Sequence, residues 1–261
     1  MARGVFKCGK ATVWVQKYQD LLTVRALFVF AILDGVMTKK RKPNLHFLLF
    51  IAGVILLTTL FVYFKKNEPL NTPNQYSRVE NRRAELEAMP NLETATFAGG
   101  CFWCMEAAFE PADGVIEVIS GFTGGAEVDP SYEEVVQGQT NHREAGLVFF
   151  DPNIITYEEL LDVYWQQIDP TDPDGQFADR GYSYTTAIYY HDQSQQDLAE
   201  TSKETLIESA EFGKPIVTEI LPASEFYPAE DYHQDYYKNN QRRYDTYEKF
   251  SGRKDFVESR L

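Results

Sequence analysis

Strand-like and helix-like segments alternate from residue 93 to residue 221, and this alternation restricts the fold more than any other feature of the chain. Apolar runs with strand character predict strands at residues 93–98, 114–123, 144–150, 184–190 and 215–221. Helices are predicted between them at residues 102–109, 131–137, 157–167 and 193–209, and a loop rich in Pro, Asp and Gly at 169–181. This order predicts an α/β protein, specifically an α+β two-layer sandwich with a mixed sheet of about five strands and flanking helices.

An uncharged run of eighteen residues, Phe47–Phe64, precedes this region. As a helix it would span about 27 Å, close to the thickness of a bilayer core. Four basic residues at 39–42 precede the run and two at 65–66 follow it, which favours a cytoplasmic N-terminus and an extracytoplasmic domain. We therefore expect a single-pass membrane protein with an uncleaved anchor at residues 46–64. The alternative is a cleaved signal peptide and a secreted domain.

The anchor divides the remaining chain into segments of different character. Residues 1–45 are a basic cytoplasmic N-terminus, residues 65–92 a polar linker or short helix, and residues 93–261 the folded domain. Met37 begins a sequence, MTKKRKP, typical of the start of a membrane-anchored protein. We therefore interpret residues 1–36 as an over-long reading of the gene start, with a cytoplasmic extension as the other interpretation. Either way, Cys8 takes no part in the chemistry.

Charge and cysteine count exclude several classes of function. Residues 67–261 carry fourteen Lys and Arg against thirty-seven Asp and Glu, so the domain lacks the basic patch that nucleic acid requires. Three cysteines are too few for a disulfide scaffold. Cys101 and Cys104 form a C-x-x-C pair, but structural zinc needs four ligands, and the histidines at 142, 191 and 233 lack the spacing to complete them. We expect no metal and no bound cofactor.

The sequence Gly100–Met105, GCFWCM, lies where the first predicted strand meets the first predicted helix. At a helix start, unpaired N–H groups and the helix dipole favour a thiolate on Cys101. Phe102 and Trp103 provide an apolar wall beside it, so the motif predicts redox or nucleophilic chemistry on a small apolar group. C-x-x-C alone is also compatible with a thioredoxin-like disulfide oxidoreductase, or with structural cysteines in a membrane-tethered binding module.

The chain resembles the type A peptide methionine sulfoxide reductase family in several blocks that occur in the family's order. These blocks are residues 99–103, 121–125, 130–135, 142–145, 179–189 and 229–236. The resemblance implies reduction of methionine-S-sulfoxide, free or in proteins, as a repair of oxidative damage. It also implies that the Cys101 thiolate attacks the sulfoxide sulfur and becomes a sulfenic acid.

The resemblance extends to the residues around the substrate. Glu144 matches the acid that protonates the sulfoxide oxygen, for which it needs a raised pKa. Tyr132 and Tyr184 match hydroxyls that bind this oxygen, and Phe102 and Trp103 form the cup for the S-methyl group. Further matches are Asp179, near the substrate backbone, and His233 and Tyr236 in a C-terminal block, with a packing role or a direct role.

Many members of the family recycle the sulfenic acid with a cysteine near the C-terminus, and residues 254–261 contain none. Cys104 is the remaining candidate in the domain. A C-x-x-C at a helix start places its Cα atoms about 5.5 Å apart, within disulfide range. We therefore predict a Cys101–Cys104 disulfide reduced by thioredoxin or another dithiol; the alternative is that Cys104 is an inert buried thiol. We expect the enzyme to be a monomer.

Overall fold

The computed structural model describes residues 75–260, and the following account concerns that part of the chain. The anchor predicted at residues 46–64, the basic segment 1–45 and the first part of the 65–92 segment lie outside the described residues. Within residues 75–260, the structure contains no helix with the length and apolar character needed to cross a bilayer.

The described region contains helices and strands in mixed order. The helices are α1 Ser77–Glu87, α2 Phe102–Phe109, α3 Tyr132–Val136, α4 Tyr157–Gln167, α5 Gln193–Glu208, α6 Tyr236–Asn239, α7 Gln241–Ser251 and α8 Arg253–Glu258. The strands are β1 Glu93–Gly99, β2 Val115–Thr123, β3 Arg143–Phe150, β4 Gly175–Gln176, β5 Asp179–Arg180, β6 Thr186–Tyr190, β7 Glu219–Pro222 and β8 Tyr227–Pro228. A 3₁₀ turn covers Tyr182–Tyr184.

The main sheet has the strand order β7-β6-β1-β3-β2-β8. Its strand pairs are antiparallel except β6 and β7, which are parallel, so the prediction of a mixed sheet is confirmed. β3 lies near the middle, and each of its eight residues is buried. In the register of the sheet, Phe122 of β2 lies opposite Glu144 of β3. The carboxyl group of Glu144 is therefore fixed on a strand that is covered on both faces.

Helices cover both faces of the sheet. On one face, α2, α4 and α5 bury an apolar cluster around Phe97, whose ring stacks on Phe109 at 4.9 Å and on Tyr164 at 5.1 Å. On the other face, Val79 and Leu86 of α1 pack against strand residues such as those at 98, 147 and 149. Both faces of the sheet carry apolar side chains, so helices must cover both faces. The predicted two-layer arrangement lacks the second layer of helices.

The structure corrects several segment predictions. The strand predicted at 184–190 begins only at Thr186, because the 3₁₀ turn precedes it. The strand predicted at 215–221 is reduced to Glu219–Pro222, since these are the residues that pair with β6. Within residues 75–260 the main sheet has six strands rather than about five, because β8 pairs with β2 at two positions. The predicted loop 169–181 contains the β4–β5 hairpin, and helices α6 to α8 were not predicted.

Candidate active site

The turn from β1 into α2 presents Cys101 at the edge of the sheet. Gly100 has a φ of +87°, a conformation that side chains disfavour, and a Cβ there would lie 2.7 Å from Gln176 Cβ. Cys101 is the residue before the first turn of α2 and is 6 % exposed. Cys104 is 2 % exposed, and its N–H donates to the Cys101 carbonyl at 3.0 Å. The two thiols, both free, are therefore held together at the start of one helix.

The expected Cys101 thiolate is not favoured by this arrangement. The first N–H of α2, that of Phe102, donates to Glu144 Oε2 at 3.0 Å, and the Cys101 side chain makes no capping hydrogen bond. Burial, the hydrogen bond with Cys104 and the nearby Glu144 carboxyl hold the pKa of Cys101 above its ordinary value. In this arrangement the Glu144 carboxyl, and not the Cys101 sulfur, accepts the Phe102 N–H group.

Cys104 has the opposite environment. The hydrogen bond from Cys101, the Arg253 guanidinium and a hydrogen bond from the Tyr244 hydroxyl lower the pKa of Cys104, against the effect of burial. Cys101, Cys104 and Tyr244 form one packed cluster. The two thiols and the Tyr244 ring therefore share one buried environment.

Glu144 is the buried carboxyl beside the cysteine pair. It is 2 % exposed on β3, and burial raises its pKa to about 8, although the Phe102 N–H opposes this shift. At neutral pH the side chain is therefore mainly a carboxylic acid. Its oxygens also accept a hydrogen bond from the Tyr184 hydroxyl. The raised pKa that a proton donor needs near pH 7 is present at this residue.

Two tyrosine hydroxyls face the same carboxyl group. Tyr132 begins α3, which is capped by a reciprocal pair of hydrogen bonds between Ser131 and Glu134. Tyr184 ends the 3₁₀ turn, and Arg143 Nε holds the next residue by donating to Thr185 Oγ1 at 2.7 Å. Burial and the Glu144 carboxyl raise the pKa values of Tyr132 and Tyr184, so both remain hydrogen-bond donors at neutral pH.

Aromatic rings form one wall of the site. The Phe102 ring lies 6.3 Å from the Tyr132 ring, and the Trp103 indole stacks on Tyr236 with 3.8 Å between centroids. His233 packs between these rings, 5.1 Å from Phe102 and 4.4 Å from Tyr132. Neither ring nitrogen of His233 makes a hydrogen bond, and burial lowers its pKa to about 4. The structure thus brings the predicted aromatic residues together, with a neutral histidine among them.

The C-terminal helices contribute residues that the sequence analysis missed. Tyr244 packs on the cysteines, and the Tyr247 hydroxyl donates a hydrogen bond to Asp179 Oδ2. Burial raises the pKa of Asp179, against the effects of this hydrogen bond and of Arg253. Tyr244 and Tyr247 lie three residues apart on α7, a spacing that places both on one face of a helix. This spacing is the sequence signal that could have identified them.

A second carboxyl cluster lies at the other end of α2. Glu106, Glu110 and Asp235 have ligand atoms within 4.8 Å of one another. The Asp235 N–H donates to Glu106 Oε1 at 2.7 Å, and burial raises the pKa of Glu106 to about 9. The Lys238 ammonium bonds to Glu110 and lies 2.8 Å from Asp235 Oδ1. This lysine already provides a cation to the cluster, so the cluster is better explained as an ion-pair network than as a metal site.

Comparison with protein families gives one match over most of the domain. Residues 93–261 match the family model described as peptide methionine sulfoxide reductase. The peptide methionine sulfoxide reductase MsrA of Bacillus pumilus is 60 % identical over 167 residues, which cover 64 % of this chain and 94 % of that protein. The protein of the same name from Listeria monocytogenes is 54 % identical over 169 residues, covering 65 % and 96 % of the two chains.

Solved structures give a consistent result. The structure is similar to that of Mxr1 from Saccharomyces cerevisiae in its reduced form, with a TM-score of 0.55 and 30 % identity over 59 % of this chain and 88 % of that chain. It is also similar to methionine sulfoxide reductase A of Corynebacterium diphtheriae, with a TM-score of 0.53 and 34 % identity over 59 % and 77 % of the two chains.

Proposed function

The chain belongs to the peptide methionine sulfoxide reductase family, and on this premise we propose how its own residues perform the reaction. It is an oxidoreductase that reduces methionine sulfoxide to methionine. The observation that carries the proposal is the placement of the Glu144 carboxyl, with its pKa of about 8, beside the buried Cys101–Cys104 pair and under the Tyr132 and Tyr184 hydroxyls.

In the first step, Cys101 attacks the sulfoxide sulfur. The proton of the Cys101 thiol passes to the Cys104 sulfur, with which it is hydrogen-bonded. Glu144 delivers its proton to the sulfoxide oxygen as the S–O bond of the substrate breaks, and the tyrosine hydroxyls stabilise this oxygen. The products are methionine, whose sulfur gains two electrons, and a sulfenic acid on Cys101, whose sulfur loses two electrons. Because the electrons come from thiols, the step needs no bound cofactor.

The aromatic wall sets the specificity of this step. Phe102 and Trp103 provide apolar surface for the S-methyl group, and contact between sulfur and aromatic rings favours its binding there. The stack of Trp103 on Tyr236 fixes the indole at one side of the cup. We propose that this cup accepts the S epimer of the sulfoxide, free or in oxidised proteins, and places its oxygen toward Glu144.

Reduction of a dabsylated methionine-S-sulfoxide with dithiothreitol tests this proposal. We expect turnover by the wild-type chain, none by Cys101→Ser, and little with the R epimer. Reduction of insulin, measured in parallel, distinguishes the thioredoxin-like alternative, which the comparisons do not favour. Activity on insulin together with inactivity on the sulfoxide would refute the proposal.

Recycling of Cys101 requires a second thiol, and we propose that Cys104 provides it. The support is its position one turn from Cys101 and its lowered pKa. The resulting disulfide would then be reduced by thioredoxin or another dithiol through exchange. We expect Cys104→Ser to complete one stoichiometric turnover but to lose thioredoxin-driven cycling. Cycling at the wild-type rate in this variant would show that Cys104 is not the resolving cysteine.

For localisation, we propose a single-pass membrane protein whose reductase domain lies outside the cytoplasm. The support is the uncharged run at residues 47–64 and the excess of basic residues on its N-terminal side. In that compartment the reductant would be an exported or membrane-tethered thiol carrier. Protease treatment of intact spheroplasts should digest the domain. A soluble domain released by cleavage would support the alternative of a signal peptide, and a domain that is protected until lysis would refute both.

We also propose that the reductase acts as a monomer. The support is that the aromatic cluster and the cysteine cluster of one chain already pack closely around the site. Light scattering of the detergent-solubilised protein after size exclusion, together with activity across the elution profile, tests this. Activity confined to a dimer peak would contradict the proposal.

A further inference from the structure

A buried guanidinium lies at the start of β3, directly before the proposed proton donor. Arg143 is the first residue of β3 and is 2 % exposed. Its Nε donates to Thr185 Oγ1 at 2.7 Å and its Nη1 to the Tyr189 hydroxyl at 3.0 Å. Its Nη2 forms an ion pair with Glu219 Oε2. The guanidinium therefore joins the start of β3 to β6, to β7 and to the turn that precedes β6.

The Thr185 hydroxyl extends this contact into the 3₁₀ turn that carries Tyr184. It accepts from Arg143 and donates to the Tyr182 carbonyl at 2.7 Å. The guanidinium carbon also lies 4.5 Å from the centroid of the Tyr182 ring. Tyr184 is thus flanked by two residues that Arg143 contacts. Because the hydrogen bonds of a 3₁₀ turn have poorer geometry than those of an α-helix, contacts from outside help to fix its position.

Glu144 holds the other end of Tyr184. The Tyr184 hydroxyl donates a hydrogen bond to the Glu144 carboxyl group. Glu144 directly follows Arg143 on β3, and consecutive side chains of a strand point to opposite faces of the sheet. One strand therefore holds Tyr184 at two points, at its hydroxyl through Glu144 and at its backbone through Arg143 and Thr185.

The ion pair with Glu219 does not by itself explain why Arg143 is buried. The Glu219 side chain is 52 % exposed, so water weakens this pair, and an exposed ion pair contributes little to stability. A buried guanidinium is costly unless its donors are satisfied. The planar fork of arginine supplies donors to three partners at once, which the compact ammonium of lysine does not. The contacts to the turn and to Tyr189 are therefore the better explanation of the burial.

We propose that Arg143 is a positioning residue for Tyr184 and acts through Thr185, so that the Tyr184 hydroxyl meets the sulfoxide oxygen beside Glu144. This inference rests on the proposed function, in which this hydroxyl stabilises the oxygen as the S–O bond breaks. A donor aimed at developing charge loses much of its effect when it is displaced by about 1 Å. Loss of the Arg143 contact should therefore slow the chemical step more than it weakens substrate binding.

The test is single-turnover reduction of dabsylated methionine-S-sulfoxide by the prereduced, full-length, detergent-solubilised chain. Thr185→Val keeps the shape and the charge of the region and removes the hydroxyl that joins Arg143 to the turn. We expect Thr185→Val and Arg143→Met each to lower the maximal rate constant about tenfold or more, with the half-saturating substrate concentration within about twofold of wild type. An unchanged maximal rate in Thr185→Val would overturn the inference.

A double-substitution cycle distinguishes positioning from general damage to the fold. Tyr184→Phe removes the hydroxyl, so its exact placement no longer affects the rate. If Arg143 acts through Tyr184, adding Thr185→Val to Tyr184→Phe should lower the maximal rate by less than about twofold more. A further loss as large as that of Thr185→Val alone would show independent effects and would overturn the inference.

Two substitutions are matched controls. Thr186→Val removes the neighbouring hydroxyl, which pairs with Thr218 Oγ1 at 2.9 Å. Glu219→Gln removes the negative charge of the ion pair and keeps an oxygen that can accept from Arg143. We expect both variants to keep the maximal rate within about twofold of wild type. A tenfold loss in either would mean that the rate responds to any disturbance of this region, and the inference would be wrong.

Failure of this inference can be separated from failure of the proposed function. A wild-type chain that does not reduce the sulfoxide refutes the function. If the wild type is active and Tyr184→Phe is equally fast, the role of Tyr184 is lost and the inference with it. If Tyr184→Phe is slow and Thr185→Val acts independently of it, only the positioning by Arg143 is wrong. If Arg143→Met does not fold, Thr185→Val and its cycle still decide the question.

Discussion

Replacing Glu144 with glutamine removes the proposed proton donor while keeping the shape of its side chain. With a pKa of about 8, about nine tenths of the wild-type carboxyl is protonated at pH 7. General acid catalysis commonly contributes roughly 10²- to 10⁴-fold, so we expect kcat/KM for the sulfoxide to fall by that factor in Glu144→Gln. In the wild type, kcat/KM should fall about tenfold per pH unit above pH 8, and the variant should lack this alkaline decline.

The same substitution should change the pH dependence of stability. The folded pKa of Glu144, about 8, lies above its ordinary value of 4.5. The side chain therefore contributes its full stability below pH 4.5 and loses it as the pH rises toward 8. At about 1.4 kcal/mol per unit, the loss reaches about 3 kcal/mol at pH 7 and about 5 kcal/mol above pH 8. Glutamine cannot ionise, so urea unfolding at pH 8.5 should show the variant to be more stable than the wild type.

Glu106→Gln is the matched control for this prediction. Glu106 is buried like Glu144 and has a pKa of about 9, but it lies on α2 and accepts a hydrogen bond from the Asp235 N–H, away from the cysteines. The Glu106→Gln substitution should stabilise the protein at alkaline pH in the same way. It should leave kcat/KM and the alkaline decline of kcat/KM unchanged. The reasoning is refuted if Glu144→Gln keeps more than a tenth of the wild-type kcat/KM, or if Glu106→Gln removes the alkaline decline.

Two further substitutions test the supports of the site. Gly100→Ala should abolish soluble expression or activity, because the new Cβ would lie 2.7 Å from Gln176. Gly252 has a similar φ but open space around it, so Gly252→Ala should lower the free energy of unfolding by only about 1–2 kcal/mol in thermal or urea unfolding. Equal losses in the two variants would contradict the steric argument. Tyr247→Phe removes the hydrogen bond to the Asp179 carboxyl and should lower the free energy of urea unfolding by about 1–3 kcal/mol. The loss should be larger at pH 8 than at pH 4, because the hydrogen bond is stronger to the charged form of Asp179. An unchanged urea midpoint at pH 8 would contradict this prediction.

The sequence predicts the centre of the sheet better than its edges. β1 and β3 appear where the sequence predicts them, because most of their residues are buried and their own apolar side chains decide their position. β7 is shorter than its apolar run, since pairing with β6 limits it to four residues. β8 has two residues and exists only through its pairing with β2. Edge strands of this kind depend on tertiary contacts that a local pattern does not contain.

The C-terminal helices show the same limit for the site. In α7 only Tyr244 is buried, so the apolar face that reveals most helices is nearly absent. Arg253 is followed in the sequence by Lys254 and Asp255 and is indistinguishable there from an exposed arginine. Its burial follows from two carbonyl groups on β1 and α4, which no local pattern places beside it.

The charge state of the cysteine pair gives the most instructive difference. A helix start predicts a thiolate on its first cysteine, and this rule holds only if the free N–H groups face the sulfur. Here the Phe102 N–H donates to Glu144 and is therefore not available to the Cys101 sulfur. This arrangement serves the first step of the proposed cycle, because the N–H donor fixes the orientation of the protonated Glu144. A variant in which the Phe102 N–H turned to Cys101 would therefore lose the fixed orientation of the acid.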